Sequence, residues 1–220
     1  MATFARGLRL GDVAPNFEAE TTDGPMNFHD WIGSQWAILC SHPKAFTPVC
    51  TTELGRMARL KPEFDRRGVK VCAISCDSVE EDIAWSEDIK EVGGCAVNFP
   101  IIADRDRSIV TTYGMLMDDE EVIGAPATVR SVFVIGPDKK IKLIITYPPS
   151  TGRNFDEILR VIDSLQLTHA KKLATPVNWN VGDRCVILPS VTDEAAMEMF
   201  GSFEAVKPYL RTIDTSQIPN

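Results

Sequence analysis

The feature that most constrains the fold is a buried strand, a turn and an amphipathic helix, joined so that one cysteine falls at the start of the helix. The stretch 36–42 is apolar up to its polar end, which predicts a buried strand. Thr47 suits the N-cap position and Pro48 the first helical position, so Cys50 lies in the first helical turn. Apolar residues then recur at steps of three and four, which predicts an amphipathic helix: Leu54, Met57, Leu60 and Phe64.

A thiol in the first turn of a helix has a bias toward ionisation. Unpaired backbone N–H groups and the positive end of the helix dipole both favour the thiolate. A helix end supplies about 0.3–1 kcal/mol of this stabilisation, whereas keeping a cysteine largely ionised at neutral pH takes roughly 3.4 kcal/mol. We therefore expect a cation beside Cys50, and an arginine is the natural choice because it stays charged.

Composition narrows the functional classes. The 220 residues carry a formal charge of −8 (23 basic minus 31 acidic), which disfavours nonspecific binding to nucleic acid or anionic membranes. The sequence has no run of about 18 apolar residues and no secretory h-region near residue 1, so a soluble cytoplasmic protein is expected. The cysteines show neither a disulfide framework nor paired zinc spacing, so reduced thiols are expected. They are Cys40, Cys50, Cys72, Cys76, Cys95 and Cys185.

Strand and helix patterns alternate along the rest of the chain. A second strand is predicted over 69–75, a helix with a capping box at 78–81 follows, and a short strand is predicted over 99–103. Two apolar runs, 131–135 and 141–145, flank a Gly-Pro-Asp turn and predict a hairpin.

This order of elements predicts an α/β fold of the thioredoxin-like type, with a central mixed sheet flanked by helices. Beyond about residue 170 the composition shifts to prolines and short elements. We therefore predict a first domain over 1–169 and a small C-terminal domain over 170–220.

The sequence around Cys50 resembles that of a known family. Pro43, Thr47 and Cys50 fit the pattern P-x-x-x-T-x-x-C of the peroxiredoxins, and the surrounding sequence is similar to their one-cysteine, peroxiredoxin-6-like branch. The similar blocks follow in order at 11–17, 41–55, 126–130, 147–148, 151–156 and 174–179. The resemblance implies a thioredoxin-like fold, thiol-dependent peroxidase activity without a metal or other cofactor, and a homodimer with contacts through the C-terminal domain.

The resemblance also implies the catalytic residues. Cys50 would be the peroxidatic thiolate, which attacks a hydroperoxide and becomes a sulfenic acid. Arg130 would stabilise the thiolate and contact the peroxide, and Thr47 would offer its hydroxyl from the same side of the turn. Pro43 would exclude water. A simpler role is open for Thr47, as the N-cap alone.

Three further residues match positions that support this network. Glu53 and Arg153 would orient it, although a surface ion pair is the alternative for these two. His42 lies where the first strand ends, toward the site. It would hydrogen-bond the oxidised cysteine or gate the pocket, or it is a structural histidine.

The reductant is expected to be an external thiol such as glutathione. Relatives with two cysteines carry a resolving cysteine in a Val-Cys-Pro motif, which the sequence around Cys185 does not fit. Cys76 and Cys95 lie near loops and remain alternatives for an internal resolving role.

The one-cysteine branch is also associated with a phospholipase A2 activity that uses a serine in G-x-S-x-G. The matching stretch, 33–37, has Gln35 where that serine should be, although His29 and Asp138 stand at the matching positions. Ser34 is one residue out of register, which on an extended chain turns it to the other face. A histidine without its nucleophile cannot form an acyl-enzyme, so this activity is not expected.

Two other functions compete with a peroxidase. Cys50 and Arg56 have the C-x5-R spacing of cysteine phosphatases, but Glu53 between them would repel a phosphate dianion. A redox sensor or holdase would use the oxidised cysteine as a switch, and it would be oxidised once without turnover.

Overall fold

A computed structural model of the chain describes residues 7–117 and 127–217. The chain divides into two compact units between Phe155 and Asp156. The predicted domain boundary at 169/170 falls at the end of the helix that opens the second unit, and it stays a prediction. Pro126, in one of the blocks of family resemblance, lies outside the described residues.

The elements up to residue 154 alternate between strands and helices. They are β1 (Glu18–Ala19), β2 (Met26–Asn27), α1 (Phe28–Ile32), β3 (Trp36–Ser41), α2 (Pro48–Arg66), β4 (Val69–Ser75), α3 (Val79–Gly93), β5 (Ile101–Ala103), α4 (Ser108–Thr112), β6 (Leu116–Met117), β7 (Ala127–Thr128), β8 (Arg130–Ile135) and β9 (Ile141–Tyr147).

A five-stranded mixed sheet is the centre of the first unit, as the sequence predicts. The strand order is β5-β4-β3-β8-β9, in which β5, β4 and β3 are parallel and β8 and β9 pair antiparallel. All residues of β3 and β8 are buried, which is typical of strands covered on both faces. The carboxyl end of β3 and the start of β8 therefore meet at one edge of the sheet, where α2 begins.

The two long helices α2 and α3 begin where the sequence predicts. Pro48 opens α2, and α3 begins with the expected capping box between Ser78 and Glu81. The two helices approach closely where each carries a glycine: a Cβ atom on Gly55 would lie 3.2 Å from the Cα atom of Gly93. This contact brings the helix that bears Cys50 against α3.

From Phe155 onward the chain forms a separate sheet with helices. Its elements are α5 (Phe155–Ala170), β10 (Leu173–Ala174), β11 (Cys185–Ile187), α6 (Asp193–Phe200), β12 (Glu204–Lys207), β13 (Leu210–Ile213) and a 3₁₀ turn (Thr215–Gln217). The antiparallel order is β10-β11-β13-β12, and the core includes Trp179, Cys185 and Phe200. In the described residues, no helix has both the length and the apolar character needed to cross a membrane.

The contact between the two glycines gives a test of the fold. Replacing Gly55 by alanine raises helix propensity by about 1 kcal/mol, but the new Cβ meets backbone that has no side chain to move aside, and overpacking costs about 1–3 kcal/mol. We expect Gly55→Ala to lower the free energy of unfolding, measured by urea denaturation. The control Asp88→Ala, on the exposed face of α3, should stay within about 0.5 kcal/mol of wild type. A more stable Gly55→Ala would contradict the close approach.

Candidate active site

Cys50 is the third residue of α2 and is completely buried. Thr47 occupies the N-cap position with extended backbone, as predicted, but its side chain makes no capping hydrogen bond. Its hydroxyl donates instead to the carbonyl oxygen of Lys44 at 2.8 Å. The expectation that the Thr47 hydroxyl caps the helix is therefore wrong in this structure, since that hydroxyl closes the preceding turn.

A guanidinium group lies against the thiol, as the energetics of the helix start require. Nη1 of Arg130 is 3.3 Å from Sγ of Cys50 and donates to Oε2 of Glu53 at 2.7 Å. Nε and Nη2 of Arg130 donate to the carbonyl oxygen of Pro149 at 2.8 and 2.6 Å. The planar group is thus held from two sides, with one nitrogen directed at the sulfur.

Glu53 links this arginine to a second one. The backbone N–H and Nε of Arg153 donate to Oε1 of Glu53 at 2.7 and 2.9 Å, and Nη2 donates to Oε2 at 2.8 Å. Nη1 of Arg153 donates to the carbonyl oxygen of Ser131 at 3.0 Å. Glu53 is 4% exposed and Arg153 is 7% exposed, so this is a buried network and the surface ion pair is excluded.

The charges of this network do not cancel without the cysteine. Two guanidinium groups and one carboxylate sum to +1, and all three side chains are buried. Burial alone would raise the pKa of Glu53, but the charge and hydrogen bonds of Arg153, together with the charge of Arg130, hold that pKa below its usual 4.5. A thiolate on Cys50 would neutralise the remaining positive charge, and a buried uncompensated charge is costly.

Pro43 and His42 are both buried between β3 and the turn. Neither ring nitrogen of His42 has a hydrogen-bond partner in the described part of the chain; its Nε2 lies 4.0 Å from Oδ1 of Asp82, and its ring packs 5.2 Å from the ring of Trp85. Burial, and then the charge of Arg153, lower the pKa of His42 to about 3, so its ring is neutral.

Some groups around the site were not predicted from the sequence. The indole N–H of Trp85 donates to the hydroxyl of Thr51 at 3.0 Å, and that hydroxyl donates to the carbonyl oxygen of Thr47 at 2.8 Å. The carbonyl oxygen of Pro149 and the carboxylate of Asp82 were not predicted either.

The residues that match the lipase pattern do not form a hydrogen-bonded triad. Nε2 of His29 lies 2.8 Å from the carbonyl oxygen of Ala14. The carboxylate of Asp138 accepts from Nζ of Lys142 at 2.7 Å and from the backbone N–H of Lys140 at 3.2 Å. Gln35 is exposed.

The buried carboxylate gives a test by pH. Because the folded-state pKa of Glu53 is depressed, its contribution to stability is present above the unfolded pKa of about 4.3 and is lost as the pH falls through the lower folded value. We expect Glu53→Gln to lower the free energy of unfolding by about 3–5 kcal/mol at pH 7, since it leaves two buried arginines unpaired. The difference from wild type should shrink below pH about 4.

Urea denaturation across pH 3–8 measures this difference, with the exposed Glu91→Gln as the matched control. Parallel curves for Glu53→Gln and wild type over the whole range would contradict a charged, paired Glu53.

Two family models match successive parts of the chain. The AhpC/TSA family matches residues 10–144, and the C-terminal domain of 1-Cys peroxiredoxin matches residues 164–202. Peroxiredoxin-6 of Gallus gallus is 57% identical over 199 residues, which cover 88% of this chain and 89% of the relative. Human peroxiredoxin-6 is also 57% identical, with the same coverage.

Solved structures agree with these matches. The crystal structure of a cysteine-to-serine variant of peroxiredoxin 6 from Arenicola marina superposes with a TM-score of 0.90 at 51% identity, covering 94% of this chain and 98% of that one. A yeast mitochondrial 1-Cys peroxiredoxin superposes with a TM-score of 0.87 at 46% identity, covering 94% and 100%. The chain therefore belongs to the AhpC/TSA family and, within it, to the one-cysteine peroxiredoxins, which makes it a peroxidase of the oxidoreductase class.

Proposed function

We propose that this peroxidase reduces hydrogen peroxide and organic or lipid hydroperoxides through Cys50, and that an external thiol such as glutathione restores the cysteine. The observation that carries the proposal is the contact of 3.3 Å between Nη1 of Arg130 and Sγ of Cys50. It places a permanent cation at the sulfur inside a buried network whose charge is balanced only when the sulfur is a thiolate.

The first half of the cycle is a nucleophilic displacement on oxygen. The Cys50 thiolate attacks the terminal oxygen of the hydroperoxide, an S–O bond forms and the O–O bond breaks. The sulfur becomes a sulfenic acid, and the leaving hydroxide or alkoxide takes up a proton to give water or an alcohol. The guanidinium of Arg130 first stabilises the thiolate. It then stabilises the negative charge that develops on the leaving oxygen.

The roles proposed for Thr47 and Pro43 are argued from their positions in the turn before Cys50. The N-cap residue Thr47 lies three residues before Cys50, and Pro43 is buried at the head of the same turn. We assign Thr47 to peroxide binding and Pro43 to excluding water. Glu53 and Arg153 hold Arg130 in orientation through the contacts already described.

The second half of the cycle uses two equivalents of external thiol. One thiol condenses with the sulfenic acid, which gives a mixed disulfide and water. A second thiol attacks the mixed disulfide, so that Cys50 is released as a thiol and the two external thiols are joined in a disulfide. Two internal candidates are poor nucleophiles at neutral pH, because burial raises the pKa of Cys76 to about 11 and also raises the pKa of Cys185. The structure of the yeast relative concerns thiol resolution via glutathione and thioredoxin systems, which supports an external reductant here.

A phospholipase activity is not part of the proposal. Gln35 offers no nucleophilic oxygen, and the ring of His29 is engaged by the carbonyl oxygen of Ala14. Hydrolysis of a phospholipid by this protein would require a nucleophile outside the stretch 33–37.

A homodimer is part of the proposal. In the C-terminal unit the edge strand β12 is exposed along its whole length, with Val206 48% exposed and Tyr209, just beyond it, 76% exposed. Unpaired strand edges and exposed apolar side chains favour association with a second chain. Light scattering coupled to gel filtration tests the assembly directly.

The first mutational test separates one-cysteine turnover from the alternatives. Cys50→Ser should abolish peroxide consumption in the presence of glutathione, because the sulfur that lies against Arg130 is removed. Cys95→Ser, at a half-buried cysteine, should keep full turnover. Peroxide consumption by Cys50→Ser would exclude the peroxidatic role of Cys50, and loss of turnover in Cys95→Ser would replace the external thiol by an internal resolving cysteine. A single oxidation without turnover would favour a sensor.

The second test concerns the arginine at the sulfur. Arg130→Ala should slow the oxidation of Cys50 by about 10²–10³-fold, because a preorganised charge at the reacting atoms is lost. Arg130→Lys should recover part of the rate, since it keeps the charge but not the planar fork. Stopped-flow oxidation by one equivalent of hydrogen peroxide measures both, with Arg105→Ala in an exposed turn as the control. An unchanged rate in Arg130→Ala would remove this residue from the site.

A further inference from the structure

A second cluster of polar side chains lies beside the peroxidase site and takes no part in its network. It comprises His42 at the end of β3, Asp77 in the turn after β4, and Asp82 in the first turns of α3. One potential ligand atom from each lies within 4.8 Å of the others.

Two members of this cluster lack the partners that buried polar groups ordinarily have. His42 and Asp82 are both 0% exposed. In the described residues, neither ring nitrogen of His42 and neither carboxylate oxygen of Asp82 has a hydrogen-bond partner. The two side chains do not satisfy each other, because 4.0 Å between Nε2 and Oδ1 is too long for a hydrogen bond. Buried polar atoms without a partner call for an explanation, and an ion is one of those available.

The donor set matches a divalent transition-metal ion. A neutral imidazole nitrogen and carboxylate oxygens are ordinary zinc ligands, and the imidazole favours zinc over magnesium or calcium. Three protein ligands with a fourth position open to water is a common zinc arrangement.

Charges of both signs surround the cluster, and the acidic residues Asp77 and Glu81 lie on the side of Asp82. Burial, and then the charges of Asp77 and Glu81, raise the pKa of Asp82. On the other side, Arg153 and Arg130 repel a cation at His42, while Glu53 attracts one. An ion held mainly by the two carboxylates is compatible with this field.

We propose that His42, Asp77 and Asp82 bind a divalent transition-metal ion of the zinc class. Zinc–ligand bonds of about 2.0–2.2 Å require the three side chains to draw together. Asp77 is half-buried, and it can offer its second carboxylate oxygen to the ion while Oδ2 keeps the hydrogen bond from Ala45. Asp77 is also the one member of this cluster that is not fully buried.

The site joins two elements that matter for the cysteine. Oδ2 of Asp77 accepts from the backbone N–H of Ala45 at 2.7 Å, so Asp77 already fixes the turn that leads to Cys50. A carboxylate has further lone pairs for a metal while it keeps that hydrogen bond. A bound ion would therefore tie this turn and His42 to α3, independently of whether Cys50 reacts with peroxide.

The test uses the reduced full-length protein, treated with a chelator and titrated with zinc sulfate alone by isothermal calorimetry. We expect one zinc ion per chain, and a rise in the thermal midpoint because the ion binds the folded state. Asp82→Asn should weaken the affinity at least tenfold and abolish the thermal shift. Asp88→Asn, which makes the same change at an exposed position of α3, should bind as wild type does.

Cobalt separates this site from the cysteines. Co²⁺ bound by nitrogen and oxygen lacks the sulfur-to-cobalt charge-transfer bands that thiolate ligands give, and we expect those bands to be absent. No stoichiometric binding, equal affinity in Asp82→Asn and wild type, or a thiolate spectrum would each overturn the proposal. If Asp82→Asn does not fold, anomalous diffraction from wild-type crystals grown with zinc decides: a peak between His42 and Asp82 supports the site, and an ordered water there excludes it.

Discussion

The buried contact between Arg130, Glu53 and Arg153 is the interaction on which the rest of the site depends. Glu53 accepts hydrogen bonds from both arginines, so one carboxylate fixes two guanidinium groups. Because two positive charges face one negative charge, one further negative charge would balance the network, and Sγ of Cys50 lies 3.3 Å from Nη1 of Arg130. The same arrangement that would be costly as an isolated ion cluster becomes balanced when the cysteine is ionised.

Topology explains how residues far apart in sequence reach this point. Arg130 begins β8, which pairs with β3, and the turn that follows β3 leads into α2 with Cys50 and Glu53. The loop after β9 returns to the same edge of the sheet and supplies Arg153. Pairing of β8 with β3 therefore brings the permanent cation of Arg130 to the start of α2. The helix start alone would stabilise a thiolate by only about 0.3–1 kcal/mol.

Local features were predictable from residue patterns, whereas the long-range contacts around the site came from family resemblance or were not predicted. The start of α2 and the capping box of α3 depend on neighbouring residues, so the sequence alone placed them correctly. The expected helix cap by the Thr47 side chain was wrong, because the carbonyl oxygen of Lys44 in the preceding turn accepts its hydroxyl hydrogen bond. The carbonyl of Pro149 and the carboxylate of Asp82 carry no local signal, since a backbone oxygen has no residue type and an acidic residue in the first turns of a helix is ordinary. Family resemblance, and not spacing, indicated Arg153.

The charge balance of the network changes during the proposed cycle. Conversion of the Cys50 thiolate to a neutral sulfenic acid removes the anion that compensates Arg130 and Arg153, while Glu53 stays ionised. The buried network then carries an excess charge of +1, and the closed arrangement loses part of the stabilisation that it had in the reduced state. Since Cys50 is completely buried, a bulky thiol can reach the sulfur only if the first turn of α2 moves. In the proposed cycle, oxidation would therefore weaken the contact between Cys50 and Arg130 at the stage when the external thiol has to reach the sulfur.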